Sequence, residues 1–188
     1  MLLSIITLIL TSLAIVKEKE IGTLEQIIVT PIKPYELIIG KIIPFSVMGF
    51  IVISIILSVM TFGFGIKIKG SVSFLFIASV VYILSTLGLG ILVSTISKTQ
   101  QQAMMIAVFV VLMPMVFLSG FAFPIENMPV VIQHITYIVP LKYFMTIIRG
   151  VILKGIGFNE LWFELLIMLL MGIVVFSISV FRFKKNLD

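Results

Sequence analysis

Between Lys41 and Lys67 the chain runs for 25 residues without a charge. Coiled as a helix at about 1.5 Å per residue, that run reaches roughly 38 Å, more than the roughly 30 Å hydrocarbon core of a bilayer. A helix that is apolar on every side must be buried in a large core or in lipid, and a chain this short has no such core. Four further apolar stretches accompany it. The composition agrees: 61% of residues are hydrophobic and 11% charged, against about a quarter charged in soluble domains. The sequence reads as an all-α, polytopic integral membrane protein, one transmembrane domain with about five spans. They are expected over residues 1–16, 37–66, 71–97, 102–123 and 161–183. A charged elbow over 17–36 and short re-entrant helices on the outer side over 124–158 interrupt them.

The spans differ in character. Residues Met1 to Val16 reach roughly 24 Å, short of a full crossing. They lack the basic leader and small-residue cleavage site of a signal peptide, so this stretch is expected to be a span clipped at its start. In the third span Thr86, Gly90 and Ser94 recur every four residues, a spacing that lets another helix approach closely. Pro114 interrupts the fourth span and predicts a bend. Met104, Met105, Met113 and Met115 make that helix adaptable, with core or lipid packing favoured over a substrate wall. Trp162 opens the last span at one interface, and Arg182, Lys184 and Lys185 close it at the other.

The elbow is the densest patch of charge. Lys17, Glu18, Lys19, Glu20, Glu25, Lys33, Glu36 and Lys41 crowd into it. Ile21, Leu24, Ile27 and Ile28 fall at helical spacing and predict a short amphipathic helix at the membrane surface. Pro31 and Pro34 stop it, and Pro34 suits the first turn of the next helix. With the elbow inside, eight basic residues lie on the inner side and five on the outer, which favours a cytoplasmic elbow and carboxyl terminus.

The stretch "EKEIGTLEQIIVTPIKPYELIIGKIIPF" resembles the intracellular loop of the permease subunits of type-2 ABC exporters. Glu18, Glu20, Gly22, Thr23, Glu25 and Gln26, followed by Thr30, Pro31 and Ile32, stand where that family carries its loop motif. The resemblance implies a cytoplasmic coupling helix docking on an ABC ATPase subunit, with ATP and magnesium held by that partner and no cofactor on this chain. It also implies a second permease copy, as homo- or heterodimer, in the plasma membrane. An earlier span before the match is expected, so the chain corresponds to the second to sixth spans of a six-span permease.

A second stretch carries the same resemblance. "LSGFAFPIENMP" and then "YIVPLKYFMTIIRGVILKG" are similar to the family's short external helices, which dip into the outer leaflet. Pro124, Glu126, Pro129, Pro140 and Arg149 are its marked positions. Independently of the family, Val130–Val139 and Leu141–Leu153 are each too short to span. The second sets Phe144, Ile147, Ile148, Val151 and Ile152 against Lys142, Arg149 and Lys154.

Several chemistries find no residues here. No ionisable residue sits deep in a span, where transporters that couple to protons keep theirs. No G-x-x-x-x-G-K-[ST] loop occurs. His134 is the one histidine and cysteine is absent, which leaves no thiolate metal site, catalytic triad or metal cluster to propose. The basic excess of +5 lies between apolar runs and suits lipid headgroups rather than nucleic acid. The expected function is the membrane half of an ATP-driven exporter. A stand-alone channel or secondary transporter, or a truncated non-transporting scaffold, is the alternative.

Overall fold

The computed structural model describes residues 1–22 and 34–185. Among the described residues seven helices, two of them short, carry the architecture, with single 3-10 turns at Ile125–Asn127 and Thr136–Ile138. Helix α1 covers Leu2–Ile21, α2 Pro34–Ser58, α3 Val72–Ile96, α4 Gln100–Leu118, α5 Val130–Ile135, α6 Pro140–Arg149 and α7 Phe158–Lys185. Among the described residues four stretches are long and apolar enough to cross a membrane: Ile39–Gly63, Val72–Ile96, Gln100–Leu118 and Phe158–Arg182. The α5–α6 pair, bent by 90° at Pro140, makes up to five if it counts as one span. Helix α1 is not among the four, because its last turn carries Lys17, Glu18, Lys19 and Glu20.

Helix α3 is the axis. Two-thirds of its spanning window is buried inside the protein, against 17% for α2 and α7. Its side chains explain why. On the face toward α1, Thr86 shares a hydrogen bond with Thr7 at 2.7 Å. A Cβ on Gly90 would stand 2.9 Å from the Leu8 carbonyl. The expected small-residue seam therefore meets α1, with Ser94 buried further along the helix. A second seam, toward α7, was not singled out in the sequence. Ser179 donates to the Gly88 carbonyl at 2.9 Å, and a Cβ on Gly172 would lie 2.6 Å from Ser85 Oγ. Small side chains on both faces let backbones approach where lipid supplies no hydrophobic drive. The buried hydroxyls of α3 bond to carbonyls of their own helix: Ser79 donates to Leu75 and Ser94 to Ile91.

Tyr82, wholly buried, ties three helices together. Its ring stacks on Phe144 of α6 with centroids 4.2 Å apart, and its hydroxyl pairs with Ser4 of α1.

Prolines and wide turns shape the remaining helices. Helix α2 carries Pro44 in its interior and ends in a π turn, Val59–Gly63. In α4 the π turn Ile106–Leu112 sits just before Pro114, and Met113 N–H bonds five residues back to Val108 O. Pro114 has no N–H to give, and the wider turn makes room for its ring. The bend expected at Pro114 thus takes the form of a widened helix. The helix ends at Leu118 rather than near Phe123, because Gly120 turns the chain with φ of 78°. Met104, Met105 and Met113 face outward from α4, while Met115 enters the core.

Candidate functional site

The last turn of α1 is the first part of the elbow. Residues 17–21 continue the helix without a break, and Gly22 ends it with φ of 81°. That left-handed conformation is open to glycine at little cost. Ile21 therefore belongs to α1. Thr23, Glu25, Gln26 and Pro31, with Leu24, Ile27 and Ile28, lie outside the described residues. Pro34 opens α2, where its missing N–H has no intrahelical partner to lose.

Three consecutive side chains in that turn each hold a different helix. Glu18 forms an ion pair with Lys41 of α2. Lys19 Nζ donates to the Ser97 carbonyl, the C-cap of α3, at 3.3 Å. Glu20 Oε2 accepts from both the backbone N–H and the side-chain amide of Gln100, at 3.1 and 2.9 Å. These two bonds hold the Glu20 carboxyl below the usual carboxylate range, the amide contributing most. Successive residues on a helix point about 100° apart, so a three-residue run can reach three neighbours.

The charges match the poles they touch. Lys19 meets the carbonyl end of α3, where a cation is favoured. Glu20 meets the N–H end of α4, where an anion is favoured. The turn between those helices is itself braced. Thr99 accepts from the Gln102 N–H at 3.2 Å, and Gln102 Oε1 accepts from the Lys98 N–H at 2.9 Å. That is close to the capping-box arrangement, and Thr99-x-x-Gln102 was its signal in the sequence. The sequence reading missed Gln100 and Ser97, which carry no motif of their own.

On the side opposite the elbow, Pro124 and Pro129 precede the short helices Ile125–Asn127 and Val130–Ile135. Pro140 is buried at the first turn of α6. Arg149 donates to the Gly120 carbonyl at 2.9 Å, and Glu126 is exposed nearby. The described members of the two sets, Glu18, Glu20 and Gly22 in one and Pro124, Glu126, Pro129, Pro140 and Arg149 in the other, therefore lie at opposite ends of the bundle. Among the described residues, no three acidic, His or Cys side chains gather to hold a metal ion.

The arrangement is that of a polytopic helical membrane domain whose charged elbow is wired to its neighbours. Over residues 1–181 the chain matches the family described as ABC-2 family transporter protein, and it belongs to that family. It is 34% identical over 186 residues to the Escherichia coli K12 protein named "Probable multidrug ABC transporter permease YbhR", covering 99% of this chain and 50% of that protein. It is 34% identical over 187 residues to YbhS of the same strain, named likewise, covering 100% and 50%. With "Inner membrane transport permease YhhJ" of that strain the identity is 30% over 186 residues, covering 98% and 50%. The chain spans about half the length of these curated relatives. No solved structure matches.

Proposed function

We propose that this chain is the membrane-spanning part of a permease subunit of an ATP-driven exporter. A separate ABC ATPase, holding ATP and magnesium, docks on the elbow over 17–36. A second permease copy completes the path across the plasma membrane, with elbow and carboxyl terminus on the cytoplasmic side. The observation that carries this reading is the run Glu18-Lys19-Glu20. It joins the elbow to α2, α3 and α4 at once. A displacement of the elbow would then reach three helices through short polar contacts rather than through a loose loop. The permeases named among the relatives support the same reading.

The test uses the complete permease with its ATPase. Gly22→Val and Glu25→Lys are expected to leave the protein in the membrane while abolishing ATP-dependent export. A scrambled elbow should also lose the ATPase in a pull-down. Normal export by both variants, or solute flux from the purified permease without nucleotide and partner, would overturn the proposal.

A further inference from the structure

We infer that the cleft on the side opposite the elbow is a binding site for the phosphate headgroup of an anionic phospholipid. The cleft has a volume of about 440 Å³. It lies between the Ser119–Glu126 connection, α6 with the turn that follows it, and the first turn of α7. These are the ends of the spans α4 and α7, so the cleft sits at headgroup depth. Trp162, next in sequence to the lining residue Leu161, is the kind of side chain found at that depth.

Two cations, Arg149 and Lys154, line it. They are five residues apart, and in a continuous α-helix they would point about 140° away from each other. The helix does not continue as α. Gly150–Lys154 forms a π turn, closed by Gly155 N–H bonding five residues back to Gly150 O. A wider turn rotates less per residue, which brings Lys154 round to the side Arg149 occupies. Wide turns of this kind cost hydrogen-bond geometry and often mark functional positions. The turn is held from outside. Gly70 N–H donates to Val151 O at 3.0 Å, and a Cβ on Gly150 would stand 2.9 Å from Leu161 Cδ1.

Arg149 is also pre-positioned. Its bond to the Gly120 carbonyl pins one edge of the guanidinium and leaves other N–H donors for an oxyanion. Among the described residues, neither cation has an ion-pair partner. Glu126 lines the cleft, so the three charges sum to +1. Met145, Leu153 and Leu161 supply apolar wall beside the charges. Cations at headgroup depth with an apolar flank fit a lipid phosphate and its chains better than a free ion. The leaflet involved follows from the orientation proposed above; the site does not depend on the ATPase.

The experiment is native mass spectrometry of the purified chain, released from equimolar phosphatidylglycerol and phosphatidylcholine. Phosphatidylglycerol should be retained preferentially. Arg149→Gln/Lys154→Gln should weaken that retention by roughly tenfold or more. Lys154→Gln alone, at an exposed position outside the core, should weaken it in part and removes concern about folding. Glu126→Gln should strengthen it. Equal retention of both lipids by the parent chain, or unchanged retention in the double variant, would overturn the site. Displacement of the lipid by millimolar inorganic phosphate would overturn the lipid assignment in favour of a free anion. No nucleotide enters the readout, so this result and the test of ATP coupling fail independently.

Discussion

The carboxylate of Glu20, the last acidic residue of α1, grips Gln100 at the first turn of α4 through two hydrogen bonds, 80 residues away in sequence. Both bonds favour the ionised form. The folded-state midpoint is therefore depressed, and the tie is fully present above the ordinary glutamate range near ~4.3. It is lost as pH falls below that range through the depressed midpoint. Gln100→Ala should return the Glu20 midpoint upward, read by a carbon-13 titration of a selectively labelled glutamate. An unchanged midpoint would show that the amide is not the cause.

The Glu18–Lys41 pair should show up as a coupling between α1 and α2. Lys41 is 15% exposed at its side chain and Glu18 36%, so the pair is partly screened and is worth on the order of 1 kcal/mol. Glu18→Gln and Lys41→Gln should each lower the detergent melting temperature, and the double variant should lose less than their sum. Strict additivity would mean that the two side chains do not interact.

Close helix approach makes Gly90 intolerant. A methyl group there would press on the Leu8 carbonyl and on Thr11 Cβ at 3.0 Å. Gly90→Val should cost about 1–3 kcal/mol and push α1 away from α3. Gly40 in α2 has nothing within 4 Å of an added Cβ. Gly40→Ala should be neutral or raise stability by roughly 0.5–1 kcal/mol. Thermal unfolding of the two side by side checks the contrast.

Tyr82 should behave as a joint with two separable parts. Tyr82→Phe keeps the stack on Phe144 and leaves Ser4 of α1 without that partner, at a cost of roughly 1 kcal/mol. Tyr82→Ala removes the ring as well and should cost about 3–5 kcal/mol. Equal losses in both variants would mean that the ring contributes little.

Much of the fold was legible one stretch at a time. The uncharged run after Lys41 demanded a long helix in an apolar medium, and Pro140 divided two helices too short to cross alone. Thr86 and Gly90 announced a close approach without naming the partner. Other features were hidden in plain residues. The Thr99-x-x-Gln102 brace could have been read from its spacing and was not. Gln100 has no local signature, because its role comes from a carboxylate on another helix. The amphipathic start assigned to Ile21 failed on conformation: Gly22 is left-handed, and a left-handed residue ends a helix.

What the sequence by itself determined was the medium and the parts. Lengths of uncharged chain, clusters of charge and the positions of proline follow from desolvation and backbone geometry, which act locally. Only the tertiary structure decided the joins: Tyr82 with Phe144 and Ser4, Glu20 with Gln100, Arg149 with the carbonyl of Gly120. Each brings together groups far apart in the chain, and each depends on which face of a helix meets its neighbour. Where nearly every face is apolar, the hydrophobic pattern cannot choose that face. Small side chains and a few polar bonds choose it instead, and their partners are visible only once the helices are packed.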